Sequence, residues 1–373
     1  MAEPIRILEI VNAMDRAGLE TMIMNHYREF DRGRIQLDFL THRDWRGDYD
    51  NEIEALGGRI YHAPRLYPQN VLAYRRFMRR FFVEHNYPVV HSHIDAMSAF
   101  PLAMARSCRV AVRIAHSHSD SVDRDFKYPV KEWARKHLPD IATHYWACSE
   151  AAGAFLFGEE NLPKVRVLKN AIDLGGFRFD AATRASVRAE LGISEGQLAV
   201  GHVGRFSAVK NHVFLIDLLA ELRSAGTDAI LVLVGDGDLR AEIERRAERL
   251  GVADSARFLG LRNDVPQVMQ AFDVLAFPSL HEGIPLTLIE AQASGLPIVA
   301  SDKVSSEALV LPNTVHASLG APISEWVEAV VRLARTGRAR RAVEMLSAAG
   351  YEIRSSAASL EESYLELWRE AVS

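Results

Sequence analysis

The sequence predicts an α/β protein made of two units, each a parallel β-sheet covered by helices. Short β-branched apolar runs alternate with amphipathic helical patterns along most of the 373 residues. This alternation is typical of parallel sheets whose strands are connected by helices. It pauses at 170–180, where a glycine pair interrupts the periodicity, and then restarts. A chain of this length accommodates two domains of ordinary size.

The predicted strands are apolar runs that end at polar or turn residues. Those before the pause are 5–11, 35–42, 59–63, 89–93, 112–118, 144–149 and 165–170. Those after it are 198–205, 229–235, 256–260, 274–278 and 297–301. Helical periodicity occurs at 19–29, 71–84, 210–224, 238–250 and 285–294, and a last amphipathic helix lies near the end of the sequence.

Composition and charge narrow the class of protein. The net charge of −5 argues against nucleic-acid binding, which requires a basic surface. The two cysteines, Cys108 and Cys148, form no CxxC motif, so neither a disulfide framework nor a zinc site is expected. The sequence shows no signal-peptide pattern and no apolar run of about 20 residues, and we expect a cytoplasmic protein.

The loops after the strands are where chemistry is expected, because ligands bind beyond the carboxyl ends of parallel strands. The loop at 11–20 follows the first strand and holds a single glycine, Gly18. A dinucleotide-binding loop would show the pattern GxGxxG here, so a dehydrogenase is disfavoured. Gly18 either brings a backbone N–H group to an anion at a helix N-terminus or forms an ordinary turn.

Two histidine-rich strand ends, HSH at 91–93 and AHSHSD at 115–120, form another candidate site. Residues two apart on a strand face the same side, so the two pairs could meet. No cysteine and no acid at clear ligand spacing accompanies them, so we do not expect a metal. His116 and His118 could instead contact a substrate from the strand end. The alternative is that both are solvated or buried structural histidines.

The segment GHVGRFSAVKNH places two cations after a predicted strand. The strand ends at Gly204, Arg205 follows, and Lys210 opens a helix. Two cations beside a helix N-terminus suit a diphosphate. The alternative is an ordinary solvated basic face.

The DGD motif at 236–238 has two interpretations. It could bind a metal through two aspartates, or it could be a tight glycine turn. We favour the turn, with Asp238 capping a helix that starts at Leu239.

The stretch HEGIPLTLIEAQASGLPIVASD is mostly apolar and carries two glutamates, Glu282 and Glu290. Pro285 suits a first helical position and Gly295 a C-terminal cap, which predicts a helix between them. Glu282 then lies in the preceding loop and Glu290 in the second helical turn. They would be about 12 Å apart, too far for a carboxylate dyad. Each would contact a different part of one extended ligand.

Together these motifs resemble the retaining glycosyltransferases of the GT-B fold, in the family-4 group. EGIPLTLIE followed by AQASGLPIVASD resembles the family signature of two glutamates separated by seven residues. GHVGRFSAVKN resembles its G-R-x-x-x-x-K-N element, and VLKNAIDLGGF resembles its hinge. The resemblance covers nearly the whole chain and is greatest to enzymes of exopolysaccharide and capsule assembly.

The resemblance implies two Rossmann-like domains that face each other across a cleft. Residues 1–172 would form the N-terminal domain and bind the acceptor. Residues 173–354 would bind the nucleotide sugar, and the last helix, 355–373, would pack back on the first domain.

The resemblance also implies a role for each site residue. Arg205 and Lys210 would bind the donor diphosphate, Glu290 the ribose and Glu282 the transferred sugar. His116, or alternatively His118, would face the sugar, and His118 is also the candidate acceptor contact. The catalytic set would be Glu282, His116, Arg205 and Lys210. Further donor contacts would come from Gly18, Gly204, Leu261, Arg262, Gly283, Ile284 and Leu286.

The implied reaction moves a sugar, with retention of configuration, from a nucleotide-diphosphate sugar to an acceptor hydroxyl. UDP is the favoured nucleotide, and the acceptor would be a glycan or a lipid-linked glycan in polysaccharide biosynthesis. Two cations and a helix N-terminus can stabilise the leaving diphosphate, so no metal or other cofactor is expected. Two alternatives remain open: a UDP-sugar epimerase of the same fold, and a nucleotide-sugar-binding scaffold without turnover.

A basic helix also suggests contact with a membrane. The segment AYRRFMRRFF places aromatic residues beside four arginines on one helix face: Arg75, Arg76, Arg79 and Arg80. Basic–aromatic helices can lie on anionic membrane surfaces. We therefore weigh peripheral contact with the inner face of the membrane against an ordinary solvated face.

Overall fold

The structure is a computed structural model that describes residues 3–119 and 128–372. Its contacts divide the chain into unit 1, which contains Met1–Ala171 and Ile353–Ser373, and unit 2, which contains Ile172–Glu352. The divisions expected from the sequence fall after 172 and 354. Each unit is built on a parallel sheet with helices between successive strands, so the predicted α/β class is confirmed.

The sheet of unit 1 has seven strands. These are β1 (Ile5–Val11), β2 (Ile35–Thr41), β3 (Ile60–His62), β4 (Val89–Ser92), β5 (Val112–Ser117), β6 (His144–Ala147) and β7 (Val165–Val167). They are ordered β3-β2-β1-β4-β5-β6-β7, with every pair parallel. The carboxyl ends of β1, β4 and β5 therefore lie side by side.

The sheet of unit 2 has six strands. These are β8 (Leu198–Val203), β9 (Ala229–Val234), β10 (Ala256–Phe258), β11 (Val274–Phe277), β12 (Ile298–Ser301) and β13 (Thr314–Ala317). Their order is β10-β9-β8-β11-β12-β13. The loops after β8 and β11 are thus neighbours at one edge of the sheet.

The described α-helices complete both units. In chain order they are α1 (Gly18–Glu29), α2 (Asp50–Ala55), α3 (Val71–His85), α4 (Ala99–Ser107), α5 (Tyr128–Ile141), α6 (Glu150–Phe157), α7 (Ala181–Glu190), α8 (His212–Ser224), α9 (Arg240–Arg249), α10 (Val265–Gln270), α11 (Leu286–Ala293), α12 (Ile323–Ala334), α13 (Ala342–Ala348) and α14 (Ile353–Val372). Within the described part of the chain, no helix combines the length and apolarity needed to cross a bilayer.

Side chains of β1 alternate between two apolar cores, one on each face of the sheet. Ile7 belongs to the core formed with α1 and α14, which includes Tyr364. Leu8 belongs to the core formed with α3 and α4. Helix α14 is therefore part of the hydrophobic core of unit 1. Unit 2 also has two cores, one on each side of its sheet.

Several strands end earlier than their apolar runs predict. β8 ends at Val203 and β4 at Ser92, which leaves Gly204, Arg205 and His93 in the loops beyond the sheets. The sequence does not predict β13, because its four residues, TVHA, include polar side chains and are largely half-exposed.

Candidate active site

Two loops of unit 2, one after β8 and one after β11, are joined by hydrogen bonds. The Leu280 N–H group donates to the Val209 carbonyl at 2.8 Å. The Asn211 side-chain amide donates to the Pro278 carbonyl at 3.2 Å. These bonds hold Lys210, which lies between Val209 and Asn211, against the loop that carries the first glutamate of the signature.

Lys210 and Glu282 form an ion pair at this junction. The Lys210 Nζ atom lies 2.7 Å from Glu282 Oε1, with side chains 17% and 19% exposed. The same ammonium group lies 4.7 Å from the centre of the Phe277 ring. The Glu282 N–H group donates to the Lys303 carbonyl, and the Ser305 N–H group donates to the Glu282 carbonyl. Partial shielding from water makes this pair stronger than an exposed one.

Helix α11 begins next to this pair without a side-chain cap. Pro285 is the N-cap residue, with an extended backbone (φ −69°, ψ 131°), and the helix begins at Leu286. The prediction that Pro285 is the first helical residue is wrong by one position, because its ψ angle is not helical. Gly295 follows the helix with φ 71° and ends it, as predicted. An uncapped helix N-terminus favours an anion.

Glu290 lies in the second turn of α11, as the sequence predicts. Its side chain is partly buried and, within the described ranges, has no hydrogen-bond donor or cation paired with it. Burial disfavours the carboxylate and raises the pKa of Glu290 to about 7. When ionised, this carboxylate would gain stability from hydroxyl groups supplied by a ligand.

Gly204 and Arg205 lie directly beyond the end of β8, in contrasting environments. A Cβ atom on Gly204 would lie 3.3 Å from Lys210 Cδ and Cε and 3.1 Å from His202 Nε2. Any larger side chain at this position would therefore crowd Lys210. Arg205 is exposed, with 74% of its side-chain surface accessible and its guanidinium 4.0 Å from Asp238. Its cation is free to move toward an anionic ligand.

The predicted helix cap at Asp238 is wrong. Helix α9 begins at Arg240, its N-cap residue is Leu239, and no side chain caps it. The Arg240 N–H group donates to the Gly237 carbonyl at 3.1 Å, and the Asp238 side chain is 94% exposed. The turn itself is present, but it lies at Asp238 and Leu239, one residue beyond the glycine of the DGD motif, and Gly237 precedes it with φ 156°.

The loop after β10 contains the two residues predicted to lie near the nucleobase. Leu261 is 83% exposed. The Arg262 guanidinium binds Asp264 at 2.6 and 2.7 Å and Glu190 at 3.1 Å. The side chain of Arg262 is therefore engaged by two acids, whereas that of Leu261 can contact a ligand.

The remaining predicted donor contacts divide into open and buried positions. A Cβ atom on Gly18 or Gly283 would meet nothing within 4 Å, so a ligand can approach either backbone. Ile284 and Leu286 are 5% and 9% exposed and belong to the core of unit 2. A donor contact from these two residues must come from the backbone.

The sequence analysis missed two buried histidines beneath the Lys210 loop. His202 donates from Nδ1 to the Ala276 carbonyl, 2.9 Å away, and His212 stacks on Phe206. Among the described residues, His202 Nε2 and both ring nitrogens of His212 have no hydrogen-bond partner. Burial lowers the pKa of His212 to about 4, so the ring is neutral. A histidine inside the apolar run GHVGR was the signal that could have found this site.

In unit 1, the two histidine-rich strand ends meet, as their placement on β4 and β5 predicts. His91 Nε2 lies 3.0 Å from His116 Nδ1. His93 Nδ1 lies 2.9 Å from His118 Nε2. His116 is completely buried, whereas His118 keeps part of its surface exposed. His118 is therefore the ring that can reach a substrate without rearrangement.

Two further residues, Glu9 and Tyr364, join this cluster and were not predicted. The Tyr364 hydroxyl donates to Glu9 Oε1 at 2.9 Å and lies 2.6 Å from His91 Nδ1. Glu9 Oε2 lies 2.6 Å from His93 Nε2. Burial raises the pKa of Glu9 to about 8, with the Tyr364 hydrogen bond opposing the shift. The network thus contains a buried carboxyl that the sequence pattern concealed within β1.

The same cluster is where a metal could be held. Ligand atoms of His91, His93 and His116 lie within 4.8 Å of one another. However, both ring nitrogens of His91 and of His93 are within hydrogen-bonding distance of protein atoms. A metal would have to displace these bonds, so the geometry favours a hydrogen-bonded network.

The matches to known proteins agree on one family of enzymes. Residues 16–175 match the model of Glycosyltransferase Family 4, and residues 183–343 match that of Glycosyl transferases group 1. EpsF of Bacillus subtilis (strain 168), provisionally described as a glycosyltransferase, is 39% identical over 368 residues, covering 96% of each chain.

Two more distant matches extend this comparison. The Escherichia coli UDP-Gal:alpha-D-GlcNAc-diphosphoundecaprenol alpha-1,3-galactosyltransferase is 30% identical over 151 residues, which is 39% of each chain. The crystal structure of Anabaena Alr3699/HepE in complex with UDP and glucose superposes with a TM-score of 0.79 at 20% identity. That alignment covers 96% of this chain and 99% of the other, and supports the fold.

Proposed function

The chain belongs to the glycosyltransferases of group 1 and family 4 and is a hexosyltransferase of the GT-B fold, and from this premise we propose its reaction. It transfers a hexose, with retention of configuration, from a nucleotide-diphosphate sugar to a hydroxyl of a glycan or lipid-linked acceptor in polysaccharide biosynthesis. UDP is the favoured nucleotide, because a relative and a structural neighbour are described with UDP-Gal and UDP. Unit 2 binds this donor and unit 1 the acceptor.

The observation that carries this proposal is the Lys210–Glu282 pair, held 2.7 Å apart beside the uncapped N-terminus of α11. A partly shielded cation and a helix N-terminus together suit a diphosphate. When the diphosphate attracts Lys210, the Glu282 carboxylate is released to accept hydrogen bonds from the transferred sugar. Exposed Arg205 supplies a second cation.

Glu290 completes the proposed donor site. Its carboxyl, which has no partner in the part of the chain that the structure describes, accepts hydrogen bonds from the ribose hydroxyls. The leaving diphosphate is stabilised by Lys210, Arg205 and the helix N-terminus, so the proposed reaction requires no metal. Gly18 and Gly283 allow the ligand to approach the backbone, and Leu261 contacts the base.

Calorimetry with UDP tests this site. Lys210→Ala and Glu290→Ala should each weaken UDP binding, whereas Arg245→Ala, which removes an exposed cation from α9, should not. Wild-type affinity in both site variants would refute the assignment. A thermal-shift screen of UDP-, GDP- and ADP-sugars then identifies the donor, because a bound donor stabilises the folded state.

Product analysis separates the reaction classes. A transferase releases free UDP and glycosylates an added acceptor. An epimerase would change the sugar while leaving the nucleotide attached, and a scaffold would bind without either change.

We also propose that α3 brings the protein to the inner face of the membrane. Arg75, Arg76 and Arg79 are exposed, as is Leu72 at 77%. Arg80 is exposed too but pairs with Glu84. The aromatic side chains of this helix do not take part, since Tyr74, Phe81 and Phe82 are buried in the unit 1 core and Phe77 packs against it. The membrane contact is therefore electrostatic.

Liposome flotation tests this contact. A variant with glutamate at all four arginine positions should lose binding to anionic vesicles, whereas binding to neutral vesicles should be weak for both proteins. A matched control replaces arginines on α9, Arg245 and Arg249, by glutamate. Unchanged binding of the α3 variant to anionic vesicles would rule out this surface.

A further inference from the structure

Two branches of hydrogen bonds start at the buried carboxyl group of Glu9. One branch passes through Tyr364 and His91 to His116, whose buried Nε2 atom has no partner among the described residues. The other passes through His93 to His118. The second branch ends at a ring with exposed surface, whereas the ring that ends the first branch is buried. It therefore connects a buried acid to the carboxyl edge of the sheet.

The proton positions in this branch follow from the state of Glu9. If Glu9 is ionised, His93 must donate from Nε2 and accept at Nδ1. His118 must then donate from Nε2, which leaves a lone pair at its Nδ1 atom. Nδ1 of His118 has no hydrogen-bond partner among the described residues, so this lone pair can accept a proton from outside the branch.

Protonation of Glu9 reverses every bond in the branch. The Glu9 hydroxyl then donates to His93 Nε2, and His93 donates from Nδ1 to His118 Nε2. The proton of His118 now lies on Nδ1. Both rings remain neutral in both states, and only the buried carboxyl changes its charge.

We propose that Glu9, His93 and His118 form a proton relay that makes His118 Nδ1 the proton acceptor for the acceptor hydroxyl. This inference rests on the proposed glycosyltransferase function. His118 is the catalytic residue, because it would touch the acceptor, whereas Glu9 and His93 act through it. The relay goes beyond the sequence-based assignment of His118 as an acceptor contact.

The proposed step balances protons and electrons. The acceptor O–H bond breaks as a new N–H bond forms at His118 Nδ1. At the same time His118 passes its Nε2 proton to His93, and His93 passes its Nε2 proton to Glu9. The acceptor oxygen forms a bond to the anomeric carbon, and UDP leaves with the electron pair of the broken C–O bond. Glu9 later returns its proton through the same branch to water.

The surroundings of Glu9 make it the group that titrates near neutral pH. The described titratable groups around it are Tyr364 on α14, His91 on β4, His93 in the loop after β4, and His26 on α1. Arg166 on β7 acts electrostatically on Tyr364 and His91. Burial keeps the four clustered histidines and His26 neutral by lowering their pKa values.

Asp95 fixes the position of His118. Its carboxylate accepts a hydrogen bond from the His118 backbone N–H group at 2.7 Å. Burial raises the pKa of Asp95 to about 6, so its carboxyl group is mainly ionised in the pH range in which Glu9 titrates. The ring of His118 is thus held at the strand end from its backbone, independently of the relay.

NMR of histidine-selectively ¹⁵N-labelled protein tests the relay without donor or acceptor. Between pH 6 and pH 10, His118 should move its proton from Nδ1 to Nε2, with a midpoint near the Glu9 pKa of about 8, and should remain neutral throughout. A His118 ring that becomes cationic, or that keeps one tautomer over the whole range, would overturn the relay.

Two variants assign the switch to Glu9. The isosteric change Glu9→Gln should abolish the tautomer switch. Tyr364→Phe should retain it but raise its midpoint, because the Tyr364 hydrogen bond lowers the pKa of Glu9. A switch that persists in Glu9→Gln, or an unchanged midpoint in Tyr364→Phe, would contradict this assignment. The tyrosine variant keeps the test decisive if the glutamine variant does not fold.

Turnover connects the relay to catalysis. With the donor identified by the nucleotide-sugar screen, donor hydrolysis should fall about 100-fold in kcat for His118→Ala and Glu9→Gln, while UDP affinity stays at the wild-type value. Added imidazole should partly restore His118→Ala. Wild-type kcat in both variants would overturn the catalytic role. If the wild type does not bind UDP, the proposed donor site is refuted. The NMR test of the relay is unaffected by that outcome.

Discussion

Replacing Glu290 by glutamine should remove a pH dependence that this residue gives to nucleotide binding. The carboxyl is partly buried, and its pKa is raised to about 7. Ribose hydroxyls donate hydrogen bonds to the ionised form, so UDP binding requires that the proton leave. Because the protonated fraction grows as the pH falls below 7, UDP binding to the wild type should weaken from pH 8 to pH 6.

The size of this change in UDP affinity follows from the pKa of Glu290 in the free protein, which is about 7. If the bound carboxylate stays ionised, the apparent Kd should be about tenfold higher at pH 6 than at pH 8, or about 1.4 kcal/mol. Binding should release about 0.9 proton at pH 6, about 0.5 at pH 7 and about 0.1 at pH 8 from this group.

Isothermal titration calorimetry in buffers of different ionisation enthalpy measures both quantities. The terminal phosphate of UDP also titrates, with a pKa of about 6, so the relevant quantity is the difference between wild type and Glu290→Gln. Glu325→Gln, which changes an exposed glutamate on α12, is the matched control and should behave as wild type. Equal proton release by the wild type and Glu290→Gln would refute this reasoning.

The other predictions concern binding and stability in unit 2. Lys210→Met should raise the Kd for UDP about 10- to 150-fold, because a charge-assisted hydrogen bond contributes about 1.5–3 kcal/mol. If calorimetry shows an unchanged Kd, Lys210 is not part of the site. Gly201→Ala should lower the free energy of unfolding by at least about 1–3 kcal/mol, since its Cβ atom would lie 2.0 Å from Phe272. Urea denaturation measures this change, with Gly283→Ala as a control that meets no neighbour. Arg338→Met should lower the free energy of unfolding by about 3 kcal/mol or more, because the Arg338 guanidinium donates to four backbone carbonyls and one hydroxyl. A loss below about 1 kcal/mol would contradict this prediction.

The fold follows closely from the periodicity of the sequence. The first predicted strand and β1 have the same bounds, because five of its seven residues are apolar and its last five residues are buried. Errors occur at the strand ends and at β13, where burial is partial. The local sequence pattern indicates which residues prefer an extended backbone. The residue at which a strand ends, however, is set by its last hydrogen bond to the neighbouring strand.

The candidate site could be predicted only in part. Lys210 and Glu282 were identified separately, yet their contact depends on β8 and β11 being neighbours, which is a property of the sheet order. Glu9 was missed because a charged residue in a strand usually indicates an exposed face, and here both faces of β1 are covered. Its partner Tyr364 lies 355 residues away in the sequence.

This separation has a consequence for how the protein is made. Unit 2 is continuous in sequence, so its core can form as soon as residue 352 has left the ribosome. Unit 1 begins first but finishes last, because the face of β1 that packs against α1 and α14 is only partly covered until α14 emerges. During synthesis Glu9 and its apolar neighbours are exposed to chaperones and to other nascent chains for the whole time that unit 2 is translated. A released chain that is truncated before α14 should therefore contain a folded unit 2 attached to an aggregation-prone unit 1.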